Sequence, residues 1–144
     1  AHPQALQATI EQLTAMVQHL GVDVIAAAEA RGFIFAVPMA LSLGVGFVPI
    51  RKPGKLPFNT HAFKYELEYG TDSLEMHIDG VKPGQKVLVV DDLLATGGTM
   101  AACCGLVERC GAEVVGCAFV IELESLGGRA KLEKYHPLSL IRYD

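Results

Sequence analysis

Four aliphatic residues, Val87 to Val90, run directly into two adjacent acids, Asp91 and Asp92, and then into a stretch rich in Thr and Gly, Ala95 to Thr99. The aliphatic run predicts a buried strand, and Gly97 and Gly98 predict a turn into a helix. Carboxylates at the end of a buried strand, ahead of an uncapped Gly-rich helix start, have little structural purpose. At the carboxyl end of a strand they line a site instead.

The flanking sequence supplies partners for this strand. Leu6, Ile10, Leu13, Met16, Val17 and Leu20 recur at spacings of three and four before Gly21, which predicts an amphipathic helix over Pro3 to His19. Val22 to Gly32 reads as a short apolar strand ending in Glu29 and Arg31, Gly32 to Leu43 as a buried helix, and Phe47 to Ile50 as a strand. So short a strand, helix, strand unit favours parallel pairing. Arg51 to Pro57 gathers three cations among loop residues, and His61 to Gly80 alternates as a hairpin whose polar middle, Glu68 to Asp72, predicts an exposed, mobile connection. Beyond the turn at Lys82 to Gln85 come the strand Lys86 to Asp92 and a helix from about Gly97 with a buried stripe of Met100, Cys103, Cys104 and Val107, closed by Gly111. A strand over Glu113 to Ile121, a short helix near Leu126 to Leu132 and a last strand over Pro137 to Tyr143 complete the chain. This order implies one α/β domain over residues 1–144, with a mainly parallel central sheet flanked by helices and a mobile loop or hairpin at about residues 52–78.

Composition narrows the partners. At 144 residues the chain can close one core without disulfides or metal, and its net charge of −4 provides no basic surface for a nucleic-acid backbone. Gly32 to Ile50 carries no charge over nineteen residues, long enough for a membrane span, but Pro38, Gly44, Gly46 and Pro49 interrupt it. The four cysteines lack the paired spacing of a zinc site and read as small buried hydrophobes in a reducing cytoplasm. The N-terminus has no Met and no signal-type segment, so a cytoplasmic chain lacking its natural first residues is expected.

Ala95 to Thr99 joins a strand end to a helix start, where free backbone amides and the positive helix end converge on one spot suited to an anion. The dipole contributes roughly 0.3–1 kcal/mol. Each charge-assisted hydrogen bond from an amide or a Thr hydroxyl contributes about 1.5–3 kcal/mol, so the amides dominate. The GxxxxGK[ST] pattern is absent and the segment holds no Lys, which argues against a triphosphate kinase. Asp91 and Asp92 precede the loop at a distance suited to the paired hydroxyls of a sugar whose far end carries a phosphate. Arg31 has nothing local to pair with, and the cations Arg51, Lys52 and Lys55, gathered in an acidic chain, favour anion binding.

Val87 to Met100 resembles the phosphoribosyl pyrophosphate signature of the type I phosphoribosyltransferases, and Leu93-Leu94 is the filling seen in the adenine branch of that family. Glu29 to Phe35, Arg51 to Pro57, Leu67 to His77 and the tail Phe119 to Leu132 agree in order and spacing, extending the resemblance over nearly the whole chain. It implies the type I fold with a small hood, and the Mg²⁺-dependent reaction of adenine with phosphoribosyl pyrophosphate to give AMP and pyrophosphate. By the same resemblance Ala95, Thr96, Gly97, Gly98 and Thr99 hold the 5-phosphate, while Asp91 and Asp92 orient the ribose hydroxyls and stabilise positive charge developing at the sugar. Leu93 packs on the purine, and Arg31, Arg51, Lys52 and Lys55 receive the pyrophosphate. Glu68 manages the proton at N7 or N9, and Tyr69 helps close the lid.

Mg²⁺ leans on substrate phosphates and water, so no protein metal site is expected. A homodimer is implied, with no nucleic-acid or membrane partner. The family's adenine-reading N-terminal segment, part of the hood, does not appear in the sequence. Two alternatives remain: an enzyme for another purine, or a non-catalytic sensor of phosphoribosyl pyrophosphate.

Overall fold

A computed structural model describes residues 2–66 and 71–144. Five parallel strands form the sheet: β1 (Val24–Ala28), β2 (Gly46–Ile50), β5 (Lys86–Leu94), β6 (Glu113–Leu123) and β7 (Pro137–Tyr143). Their order is β2-β1-β5-β6-β7. Between β2 and β5 the chain leaves the sheet for an antiparallel pair, β3 (Thr60–Glu66) and β4 (Thr71–His77).

Helices cover both faces, and this explains the unbroken aliphatic run at Val87 to Val90. Leu88 and Val90 pack with Ile25, Ala27 and residues of α1 (Pro3–Val17) and α2 (Gly32–Leu43). Val87 and Val89 pack with Phe119 and residues of α3 (Gly98–Arg109) on the opposite face. All four are fully buried, and each side chain so buried contributes about 1.5–3 kcal/mol, enough to hold the register that sets where Asp91 emerges. The stripe Met100, Cys103, Cys104 and Val107 is buried as the spacing predicts. The charge-free Gly32 to Ile50 segment divides into the twelve residues of α2, a left-handed Gly44 followed by Val45, and β2. Among the described residues no helix is long and apolar enough to cross a membrane.

Several boundaries differ from the sequence reading. β1 stops at Ala28, leaving Glu29 to Arg31 as a turn, whereas β5 runs two residues past Asp92 and β6 two past Ile121. The helix expected near Leu126 to Leu132 shrinks to α4 (Gly128–Lys131) between single 3₁₀ turns, because Gly127 turns left-handed (φ 66°) and breaks the path. Leu6 is 45 % exposed although it lies on the apolar stripe of α1, whose burial is complete only at Leu13 and Val17.

β1 leads through α2 to β2 on one side, whereas β5 leads through α3 to β6 on the other. The carboxyl ends of β1 and β5 therefore flank a topological switch point, where a crevice opens in sheets of this kind.

Candidate active site

A cleft of about 410 Å³ lies at that switch point, lined by Glu29 to Arg31 after β1 and by Asp91 to Met100 along β5 and into α3. Arg31, Asp91, Asp92, Leu93 and the whole loop Ala95 to Thr99 are thus brought together. The loop ends at Gly97, left-handed at φ 79°, and α3 then starts with no side-chain cap. Its first amides are left to whatever enters the cleft.

The two acids occupy different environments. Asp91 packs so closely against the start of α2 that a Cβ on Gly32 would stand 3.1 Å from Asp91 Oδ1. Burial pushes the Asp91 carboxyl up to about 7, opposed by the Asp92 amide, which donates to Asp91 Oδ1 at 2.8 Å. Asp92 is instead ion-paired: Arg31 Nε donates to Asp92 Oδ2 at 2.5 Å. Arg31 therefore does have a partner, 61 residues away, because adjacent parallel strands release their ends side by side. Its side chain is 70 % exposed, so solvent screens the pair and it yields readily to an anion.

The basic loop stands beside the cleft rather than lining it. Arg51 Nε lies 3.4 Å from Glu29 Oε1, and the Lys52 amide donates to the same oxygen at 2.7 Å. That amide, followed by Arg51, holds the Glu29 carboxyl below its ordinary value. Lys52 Nζ pairs with Asp72, and the Lys55 carbonyl accepts from Arg51 Nη1 at 3.2 Å. Glu29 thus hooks the basic loop to the cleft rim.

Asp72, assigned from sequence to an exposed connection, is half-buried on β4 and accepts from the Tyr65 hydroxyl at 3.3 Å. Burial pushes the Tyr65 hydroxyl above its ordinary value, with Thr99 of the anion loop acting against that shift. Beside it Phe63 lies over Gly105 of α3 and under Arg109, 5.1 Å from the ring centre. Glu29, Tyr65 and Asp72 are site-building residues that the sequence reading missed. The available signal was the period-2 alternation that puts Phe63 and Tyr65 on one face of β3. Glu68 and Tyr69 lie outside the described residues.

The cleft therefore offers an amide-lined anion loop, a carboxyl poised near neutrality, an exposed Arg–Asp pair and a half-buried Leu93. That set can hold a phosphorylated sugar at two points and meet an apolar ring beside it. Among the described residues no three potential ligands are grouped to cage a metal. A hard cation that arrives on substrate phosphates and keeps its own waters fits this donor set, with Asp91 and Asp92 the carboxylates at hand.

The model of the phosphoribosyl transferase domain matches residues 1–141. The chain belongs to the phosphoribosyltransferase family. Within it the chain is 60 % identical to adenine phosphoribosyltransferase of Rhodopirellula baltica over 143 residues, covering 99 % of this chain and 69 % of that protein. The crystal structure of adenine phosphoribosyltransferase from Thermoanaerobacter pseudethanolicus superimposes with a TM-score of 0.96 at 54 % identity, covering 98 % of this chain and 82 % of that one. The Saccharomyces cerevisiae enzyme, complexed with an imino-altritol bisphosphate and adenine, gives 0.91 at 40 % identity, with 96 % and 81 % covered. The fold is that of the type I phosphoribosyltransferases.

Proposed function

We propose that this phosphoribosyltransferase serves purine salvage by moving the 5-phosphoribosyl group of phosphoribosyl pyrophosphate onto adenine, forming AMP and releasing pyrophosphate. The observation that carries the reading is the cleft itself: two adjacent carboxyls at the end of one strand and the anion loop that follows them into a helix, at the switch point.

In this reading the amides and hydroxyls of Ala95 to Thr99 receive the 5-phosphate, and Asp91 and Asp92 accept hydrogen bonds from the ribose hydroxyls. Leu93 lies against the purine face. Arg31 leaves Asp92 for the pyrophosphate, supported by Arg51, Lys52 and Lys55 from the neighbouring loop. A bond forms between the base nitrogen N9 and the anomeric carbon as the bond to pyrophosphate breaks, and the electron pair departs with pyrophosphate. Positive charge developing on the sugar is met by Asp91 and Asp92. Glu68 handles the proton that the base must shed, and Tyr69 closes over it. Mg²⁺, when bound with the substrate, neutralises pyrophosphate charge. The free thiols Cys103, Cys104 and Cys117, all buried, support a reducing cytoplasmic setting.

Supplying adenine, hypoxanthine, guanine and xanthine in turn with phosphoribosyl pyrophosphate, and reading pyrophosphate release, tests the assignment. Adenine is expected to be the base that gives the fastest pyrophosphate release. Preference for a 6-oxopurine would sink it, and binding of phosphoribosyl pyrophosphate without turnover of any base would favour the sensor.

A homodimer fits the outer face of α2, where Ile34, Val37 and Leu41 recur on one stripe at 55 %, 40 % and 78 % exposure. A second copy covering them gains about 1.5–3 kcal/mol for each side chain fully buried. Leu41→Lys is expected to raise the dimer dissociation constant at least about tenfold, read by light scattering across a dilution series. An unchanged constant would place the interface elsewhere.

A further inference from the structure

The tail Phe119 to Leu132 carries part of the family resemblance but takes no part in the transfer as described above. It contains Glu122, a charged side chain only 2 % exposed, on β6 opposite Leu94 of β5 and Arg142 of β7. Arg129 meets it as a planar fork, Nε to Oε1 at 2.8 Å and Nη2 to Oε2 at 2.5 Å. The remaining nitrogen, Nη1, donates to the Pro137 carbonyl at 2.7 Å, and Ser139 Oγ donates to Glu122 Oε2 at 2.6 Å. A buried ion pair is a weak source of stability, since desolvation offsets most of its attraction. Its strength is geometric, because a fork bonded on three nitrogens fixes the backbone that carries it.

That backbone abuts the anion loop. Gly128 immediately precedes Arg129, and a Cβ on Gly128 would overlap the Ala95 carbonyl oxygen and stand 2.9 Å from Gly97 N. Reciprocally, a Cβ on Gly97 would stand 2.7 Å from the Gly128 carbonyl oxygen. Two glycines thus let the loop and the tail meet main chain to main chain, with the Leu94 side chain packed against the same point, so a displacement of one is passed to the other. The loop also springs from Leu94, which pairs with Glu122 in the sheet, so one carboxylate lies behind both ends of the contact.

We propose that the Arg129–Glu122 pair, acting through Gly128, is the positioning device of the anion loop: it holds the amides of Ala95 to Thr99 in the shape that receives the 5-phosphate. The proposal rests on the reading of that loop given above. Neither residue touches substrate; both are positioning residues.

Calorimetry with ribose 5-phosphate as the probe, alongside steady-state kinetics, tests it in Arg129→Lys and Gly128→Ala. Arg129→Lys keeps the charge and loses the fork. The Kd for ribose 5-phosphate and the KM for phosphoribosyl pyrophosphate are expected to rise roughly 10- to 100-fold, as for a misplacement of about 1 Å. The KM for adenine stays within about twofold. Melting curves confirm that each variant is folded at the assay temperature. A lowered Tm with an unchanged ribose 5-phosphate Kd in Arg129→Lys would show that the pair only pins the tail, and would overturn the proposal. Should Gly128→Ala fail to fold, Arg129→Lys alone decides. Wild-type protein that binds no ribose 5-phosphate would instead remove the reading of the loop itself, and the proposal with it.

Discussion

Replacing Asp91 by Asn is expected to cut turnover roughly 10²–10³-fold while making the protein more stable at pH 8. The two effects have one cause. Burial, helped by the Asp92 carboxyl beside it, raises the Asp91 carboxyl from 3.8 to about 7, so the folded chain holds this proton more tightly than the unfolded one. Below pH 3.8 both states are protonated and the favourable contribution is fully present. As pH rises towards 7 the unfolded chain ionises first and the contribution is lost, at up to about 1.4 kcal/mol per pH unit. Over about three units the ionised, buried carboxylate comes to cost on the order of 4 kcal/mol, an upper bound. Asn cannot ionise, and its carbonyl oxygen can still accept from the Asp92 amide.

The variant is therefore expected to melt several degrees higher at pH 8 and to lose the pH dependence of stability between about 4 and 7. Its activity falls because an amide neither balances charge developing on the sugar nor accepts as strongly from ribose hydroxyls. In the wild type, kcat/KM for phosphoribosyl pyrophosphate is expected to rise with pH through about 7 as Asp91 ionises. Thermal melts at pH 5 and pH 8, paired with a pH–rate profile, check both halves. Equal pH slopes of stability in wild type and variant would refute the account.

Glu68→Ala carries the other large expectation, a fall in kcat of about 10²–10⁴, the range for a positioned general acid or base. Its side chain belongs to the reading of the family motif, so the prediction stands on chemistry: the base has to shed a proton as it gains the sugar, and Glu68 is assigned to take it. Affinity for ribose 5-phosphate is expected to stay within about threefold, because the anion loop is elsewhere in the chain. Single-turnover kinetics beside calorimetry separate the two quantities. Near-wild-type turnover in Glu68→Ala would remove the role.

Much of the site was legible because it is local. Val87 to Thr99 contains its own strand, acids, loop and helix start, and each is dictated by residue type and period. The basic loop was legible as a cluster of charge, although not where its charges go: Lys52 pairs with Asp72 and Arg51 leans on Glu29. Asp72 was misread because turn-forming composition around Gly70 outweighed a pairing that only the opposite strand, through Tyr65, could supply. Leu6 was misread for the reverse reason, since helical period marks a face but not whether anything covers it.

The sequence by itself determined the α/β alternation, the position of the anion loop and the chemical types gathered beside it, because these follow from nearest neighbours and periodicity. Only the tertiary structure decided which of two adjacent acids stays near neutrality and which meets Arg31, and that Glu122 fixes the tail whose Gly128 backs the loop. Desolvation and ion pairing depend on distance in space. Residues 61 positions apart become neighbours only when β1 and β5 lie side by side.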